Sequence, residues 1–196
     1  MVIYLHGFRS AGASPKVDAL KAAFGAENVF APDLPFDPAE VVKLVADLIH
    51  TRYLNKSPRT RDKLIFVGTS LGGFYANYFG QLWDCPAVLV NPSTMPDKTL
   101  LDRVGVNKNH MSNEEFMVTL AHLDELAKMR NRVTAIYDSS LVNLFVAKDD
   151  EVIPYQIALD SQTFPFPNFV KVTETGGHRF SSQWDLVVNR ITELRN

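Results

Sequence analysis

The sequence has a single cysteine, Cys85, among 196 residues. One cysteine cannot form an intramolecular disulfide, and the several closely spaced cysteines or histidines of structural zinc sites are missing. No apolar run approaches the 18 residues that a membrane-spanning helix needs. The N-terminus shows neither the basic region nor the cleavage site of a secretory signal. These absences predict a cytoplasmic protein without a membrane span or a bound metal.

The sequence also lacks an excess of either charge. It has 20 Lys and Arg against 22 Asp and Glu, a formal net charge of −2, and no long basic stretch that could follow a phosphate backbone. Nucleic acid is therefore not expected as a partner. Apolar residues make up 46% of the chain and charged residues 21%, which suits a globular protein with its own core. The length predicts a single domain over residues 1–196.

Short apolar segments alternate with segments of helical periodicity. Six segments have the length and the Val, Ile, Leu and Phe content of buried strands: residues 2–5, 29–31, 64–67, 87–90, 141–147 and 169–172. Ser14-Pro15 and Asp37-Pro38 each place a capping side chain before a proline, which favours helix starts. The alternation predicts an α/β fold, a doubly wound and mostly parallel six-stranded sheet with helices on both faces.

The interval between the fourth and fifth predicted strands, residues 91–143, is unusually long. One helical face is visible in it, formed by Phe116, Leu120, Leu123 and Ala127. The segment Ser112–Glu115 has the capping-box pattern and predicts the start of that helix. We interpret residues 96–132 as a small, cap-like helical insertion over one edge of the sheet. A final helix is predicted over 181–194.

The third predicted strand runs into Gly68-Thr-Ser70-Leu-Gly72, a G-x-S-x-G motif between a strand and a helix. This pattern is typical of the nucleophile elbow, a sharp turn that lifts its serine clear of the sheet. Residues two before and two after the serine would collide unless they lack side chains. A glycine-rich turn can also bind phosphate, but the lysine of that motif is absent. The motif predicts Ser70 as a nucleophile.

A serine hydroxyl needs a base, and the base needs an acid that orients it. His178 lies between the last predicted strand and the last helix, where the catalytic residues of an open α/β sheet lie. His6 directly follows the first strand and is interpreted as a structural partner of a neighbouring loop. Three histidines are interpreted as exposed or cap-lining: His50, His110 and His122. The sequence predicts His178 as the base.

Three carboxylates follow the fifth predicted strand: Asp149, Asp150 and Glu151. A metal site is not favoured, since neither EF-hand spacing nor an adjacent histidine is present. A solvated acidic turn is the alternative for any one of the three. An orienting acid is favoured for the group, because Ser70, an aspartate here and His178 follow the chain order Ser, Asp, His.

An oxyanion needs two preorganised backbone donors. The Leu71 amide directly follows the nucleophile, and the Phe8 amide is expected as the second donor because Gly7 lets the backbone approach closely. Arg9 is a candidate for binding an anionic substrate group, with an ordinary surface arginine as the alternative. Three side chains are candidates for lining an acyl pocket, although a stripe at helical spacing is more often core: Phe116, Met117 and Leu120.

These residues resemble the α/β-hydrolase superfamily and, within it, the small bacterial YqiA/YcfP-like proteins, some described as esterases. The likeness rests on five segments: Ile-Tyr-Leu-His-Gly-Phe, Gly-Thr-Ser-Leu-Gly-Gly-Phe-Tyr-Ala, Val-Leu-Val-Asn-Pro, Asp-Glu-Val and Gly-Gly-His-Arg-Phe. It implies a compact hydrolase that lacks the first two strands of larger relatives, with strand order 2-1-3-4-5-6. The superfamily pattern also places Asp150, rather than Asp149, at the acid's position, since Pro154 then falls in register. Some members lack the serine, so Ser70 together with His178 favours catalysis.

The sequence thus predicts a serine hydrolase that cleaves small-molecule esters or thioesters through an acyl-enzyme, without a cofactor. A peptidase or amidase that uses the same groups remains open, as does a noncatalytic binding protein on the same fold. Dehalogenases and epoxide hydrolases need an aspartate nucleophile, and position 70 is serine. The acyl group and the oligomeric state are not predicted.

Overall fold

The computed structural model describes residues 1–55, 63–160, 165 and 167–196. In chain order its strands are β1 (Val2–Leu5), β2 (Val29–Phe30), β3 (Ile65–Thr69), β4 (Ala87–Val90), β5 (Gly105–Lys108), β6 (Glu115–Val118), β7 (Val142–Ala147) and β8 (Phe169–Thr173). Its helices are α1 (Pro15–Phe24), α2 (Pro38–Ile49), α3 (Leu71–Trp83), α4 (Pro96–Thr99), α5 (Leu120–Ile136), α6 (Tyr155–Leu159) and α7 (Trp184–Arg195). Six strands form a parallel sheet in the order β2-β1-β3-β4-β7-β8. This confirms the predicted fold and strand order.

Both faces of the sheet are covered, and alternate residues of each strand enter different cores. In β1, Ile3 and Leu5 pack into the core beneath α2, α3 and α5. Val2 and Tyr4 pack into the core beneath α1 and α7. A strand buried on both faces cannot alternate polar and apolar residues, which is why the predicted strands are continuous apolar runs.

The two proline-led helices begin where the sequence predicts. Asp37 Oδ1 accepts a hydrogen bond from the Ala39 amide at 2.8 Å and caps α2. Ser14 precedes α1 but makes no capping hydrogen bond with its side chain. The last predicted helix is a short 3-10 turn over Ser181–Gln183 followed by α7. No helix within the described ranges is both long and apolar enough to cross a membrane.

The helix predicted to begin at Ser112–Glu115 begins at Leu120 instead, so that prediction is wrong. The preceding residues form a β-hairpin in which β6 pairs with β5 in antiparallel register. Asn109 Oδ1 accepts from the amides of Met111 and Ser112, and this local bonding stabilises the hairpin turn in competition with a helix. The capping box lies at Thr119 and His122, where each side chain accepts from the other's backbone amide.

Residues 96–132 contribute to two different parts of the molecule. Leu123, Leu126 and Met129 of α5 are buried in the same core as β1 and α3. The helix is thus part of the crossover that joins the parallel strands β4 and β7. The β5–β6 hairpin is a separate two-stranded sheet outside these layers. A cap function for this segment stays a prediction.

Candidate active site

Ser70 lies in the turn between β3 and α3. Its backbone has φ 55° and ψ −122°, and residues other than glycine hold a positive φ only where the surrounding structure enforces it. A Cβ at Gly68 would collide with the carbonyl of Gly72, and a Cβ at Gly72 would collide with the carbonyl of Leu5. The two glycines of the motif are therefore required by the close approach of the backbone around Ser70.

The loop after β1 passes directly beside Ser70. A Cβ at Gly7 would lie 3.2 Å from Ser70 Cβ and 3.8 Å from Ser70 Oγ. His6 fixes this loop, because its Nδ1 bonds to the Gly7 carbonyl and its Nε2 accepts from the Leu34 amide, both at 2.8 Å. Burial lowers the pKa of His6, which keeps the ring neutral in this arrangement. These bonds match the structural role expected for His6.

The amides of Phe8 and Leu71 lie on loops that leave two neighbouring strands, β1 and β3, at the same edge of the sheet. Leu71 is the first residue of α3, where the helix dipole favours negative charge. Within the described part of the chain, neither amide donates to another protein group. Both amides are thus without a protein acceptor in the described structure, as the predicted oxyanion donors would have to be.

Asp150 and His178 form a pair at the carboxyl ends of β7 and β8. His178 Nδ1 lies 2.9 and 3.0 Å from the two Asp150 carboxylate oxygens, and the Asp150 side chain is only 1% exposed. Burial raises the pKa of Asp150, but hydrogen bonds from His178 and from the amides of Ile153 and Val152 outweigh it, so the pKa is lowered. The ionised carboxylate keeps a proton on Nδ1, which leaves Nε2 as a proton acceptor.

The two neighbouring carboxylates, Asp149 and Glu151, bind the backbone of the loop that carries His178. We call residues 174–178 the histidine loop. Asp149 accepts from the amides of Gly177 at 2.8 Å and Gly176 at 3.2 Å. Glu151 accepts from the His178 amide at 2.9 Å, and this bond lowers the pKa of Glu151. All three acidic residues therefore bind the histidine loop, whereas sequence reasoning gave a role to only one of them.

Asn91, which follows β4, is a site residue that sequence reasoning missed. Its side chain is buried, with Nδ2 donating to the carbonyls of Gly177 at 2.9 Å and His178 at 3.2 Å. Its Oδ1 accepts from the Ala147 amide at the end of β7, at 2.9 Å. The backbone φ of Asn91 is 42°, a value that asparagine tolerates better than most residues. An Asn-Pro pair directly after a buried strand was the available signal.

The residues beside Asn91 hold the Ser70 turn. The Val90 carbonyl accepts from the Ser70 amide at 3.0 Å, and the Ser93 amide donates to the Ser70 carbonyl at 2.9 Å. The short segment from Val90 to Ser93, at the end of β4, therefore binds the backbone of both Ser70 and His178. Its geometry fixes the relative positions of these two residues.

A cavity of about 180 Å³ lies between the loop after β1 and the hairpin. Three rings beside it, Phe8, Phe36 and Phe116, have centroids 5.3 to 5.7 Å apart. Phe116 and Arg9 both line the cavity, and a substrate contact by either side chain stays a prediction. Met117 is 51% exposed and Leu120 64% exposed, and neither is among the lining residues. A substrate contact by these two side chains stays a prediction.

Three hydrogen bonds tie the hairpin to the loop after β1. The Arg9 carbonyl accepts from the His110 amide at 3.0 Å, and Arg9 Nε donates to the Lys108 carbonyl at 2.7 Å. Asn109 Nδ2 donates to the Ser10 carbonyl at 2.9 Å.

His50 and His110 are exposed, as expected. Among the described residues, no three His, Cys, Asp or Glu side chains are grouped to hold a metal ion.

The sheet order and the loops that leave its carboxyl edge define an α/β-hydrolase fold. The structure is similar to a putative hydrolase from Agrobacterium vitis, at 21% identity and a TM-score of 0.69, with 100% of this chain and 87% of that chain covered. It is also similar to a monoacylglycerol lipase of Paleococcus ferrophilus, at 14% identity and a TM-score of 0.67, with 98% and 93% covered. The resemblance that the sequence motifs indicated is confirmed.

The chain belongs to the uncharacterised protein family UPF0227, whose sequence profile matches residues 1–192. A UPF0227 protein of Pectobacterium atrosepticum is 26% identical to it over 144 residues, which cover 64% of this chain and 76% of the relative.

Proposed function

We propose that this protein is a serine hydrolase that cleaves carboxylic esters or thioesters. The observation that carries the proposal is the hydrogen-bonded pair of His178 with the buried Asp150 carboxylate, at the sheet edge that also holds the strained Ser70 turn. The proposal assigns Ser70 as the nucleophile, His178 as the base and Asp150 as the orienting acid. Among the proteins of similar structure are a monoacylglycerol lipase and a putative hydrolase, which supports hydrolysis as the reaction class.

The proposed reaction has two half-reactions that use the same groups. Ser70 Oγ attacks the acyl carbon while its proton passes to His178 Nε2, and the Phe8 and Leu71 amides bind the oxyanion. The carbon–oxygen or carbon–sulfur bond of the substrate then breaks, and the leaving group takes the proton from His178. Water attacks the resulting acyl-enzyme with His178 as the base, which releases the acid and restores Ser70.

Covalent labelling by a fluorophosphonate tests the proposal without knowledge of the substrate. The reagent needs an activated serine and an oxyanion site, so we expect one adduct per chain, located at Ser70. Intact-mass analysis followed by peptide mapping measures it, with Ser70→Ala as the control. An unlabelled wild-type protein, or an adduct that persists in Ser70→Ala, would contradict the assignment and favour a noncatalytic binding protein.

Asn91→Asp is expected to lower kcat by at least about tenfold with KM changed less than about twofold. The change keeps the side-chain shape and the acceptor for the Ala147 amide, but it removes the donor to the carbonyls of Gly177 and His178. Asn91 acts as a positioning residue, so the loss should appear in the chemical step. Steady-state kinetics with an ester measure it.

Asn143→Asp is the matched control for Asn91→Asp. Asn143 is also fully buried in the sheet and donates to the carbonyls of Ala87 and Leu141, but it has no hydrogen bond to the histidine loop in the described structure. Its kcat should stay within about twofold of wild type. Equal losses of kcat in both variants, or a folded Asn91→Asp variant with full kcat, would overturn the positioning role.

A further inference from the structure

We propose that the cavity between the loop after β1 and the hairpin binds the acyl part of the substrate, and that it accepts a compact apolar group no larger than about one aromatic ring. The inference rests on the proposed function, since it names the substrate class of that same site. Three observations support the inference: the position of the cavity beside Ser70, its position on the side of Ser70 away from the histidine loop, and its size and lining residues.

The cavity lies beside the proposed nucleophile, although Ser70 itself is not among the lining residues. Gly7 and Leu71 form part of its wall, and they flank Ser70 in space and in sequence, respectively. The space where a Cβ at Gly7 would lie is 3.8 Å from Ser70 Oγ. An acyl group bound to Ser70 would therefore lie next to two residues of the cavity wall.

The cavity lies on the acyl side of the reacting bond. The leaving group must accept a proton from His178, so it has to lie next to the histidine loop. Within the described residues, the cavity lining includes none from the histidine loop (174–178) and none from the acidic turn (148–153). The lining comes instead from the loop after β1, from residues 34–36 between β2 and α2, from α3 and from the hairpin. A group in this cavity therefore extends away from His178, as the acyl group must.

The size and the chemistry of the cavity limit that group. An apolar cavity of about 150 Å³ holds a benzene molecule, and the volume here is about 180 Å³. Phe8, Phe36 and Phe116 supply apolar ring surface to the bound group. The lining also includes charged side chains, Arg9, Glu114 and Glu115, next to which a buried alkyl chain is unfavourable. A long fatty acyl chain would extend beyond this volume and past the charged side chains of the lining.

A chain-length series of p-nitrophenyl esters tests the inference, because the leaving group stays constant while the acyl group grows. We expect kcat/KM to be highest for butyrate, hexanoate and benzoate, and at least about tenfold lower for decanoate and palmitate. Equal or higher kcat/KM for the long esters would overturn the inference. The ester series uses the wild-type protein and needs no variant.

Phe116→Ala enlarges the cavity and should raise the ratio of kcat/KM for decanoate to that for butyrate by at least about fivefold. Phe116→Leu should raise it less, and it serves if the alanine variant does not fold. Val106→Ala is the control on the same hairpin, since Val106 is 64% exposed and lies outside the lining. Its ratio should stay within about twofold of wild type. An unchanged ratio in both folded Phe116 variants would remove the cavity from acyl recognition.

The failure of this inference differs from the failure of the proposed function. If no ester is cleaved and Ser70 takes no fluorophosphonate, the hydrolase itself is disproved. If short and long esters are cleaved equally well while Ser70 is labelled, the hydrolase stands and the acyl cavity is wrong.

Discussion

Alanine in place of His178 is expected to lower kcat for an ester by at least about a thousandfold. Without the imidazole, Ser70 has no base for its attack, and the leaving group has no proton donor. Steady-state kinetics of the wild-type protein and the variant with one ester measure the loss of kcat.

His50→Ala is the control for His178→Ala, since His50 is exposed at the end of α2 and its loss should leave kcat within about twofold of wild type. A folded His178→Ala variant with the wild-type kcat would exclude His178 from the mechanism.

Asp150→Asn is expected to lower kcat by at least about a hundredfold, and Asp149→Asn by less than about tenfold. Asparagine at position 150 keeps the shape but removes the charge that stabilises the imidazolium, and its amide can fix the wrong tautomer; the corresponding change in a serine protease costs about four decades. In the described part of the chain, the Asp149 side chain hydrogen-bonds only to the backbone of the histidine loop, through the Gly176 and Gly177 amides. An asparagine there still accepts one of these bonds.

Kinetics of both variants with an ester, together with thermal melts, measure this difference. The melts belong above about pH 5, since a carboxylate of lowered pKa contributes its stability above the unfolded-state value near 3.9 and loses it as the pH falls through the folded-state value. A folded Asp149→Asn variant with the larger loss of kcat would mean that Asp149 is the orienting acid.

The sheet was predictable from the sequence because its strands are buried on both faces and appear as uninterrupted apolar runs. The predictions at 2–5 and 87–90 have the same bounds as β1 and β4. The hairpin was not predictable in this way. Residues 105–118 have few buried side chains, so their apolar residues do not recur with the period of a strand or a helix. The turn is instead stabilised by local hydrogen bonds to the Asn109 side chain.

Some residues of the candidate site were predictable from local sequence patterns and others were not. Ser70 and His178 were identifiable because strained turns and glycine-flanked loops leave short, local sequence patterns. The roles of Asn91, Asp149 and Glu151 depend on contacts with the histidine loop. Those contacts join residues far apart in the chain, and no local pattern in one sequence reports them.

The parallel sheet has a consequence for the order in which the protein folds during synthesis. Strands β1 to β4 pair among themselves, so the Ser70 turn and the loop after β1 can form once residue 90 is available. The strand that leads to His178, β8, pairs only with β7 within the described sheet. Further along the chain, Trp184 of α7 packs edge-on against Tyr4 of β1, with ring centroids 6.0 Å apart. The proposed serine is therefore synthesised well before its proposed base, and the proposed reaction has to wait until β8 and the loop that carries His178 have joined the sheet.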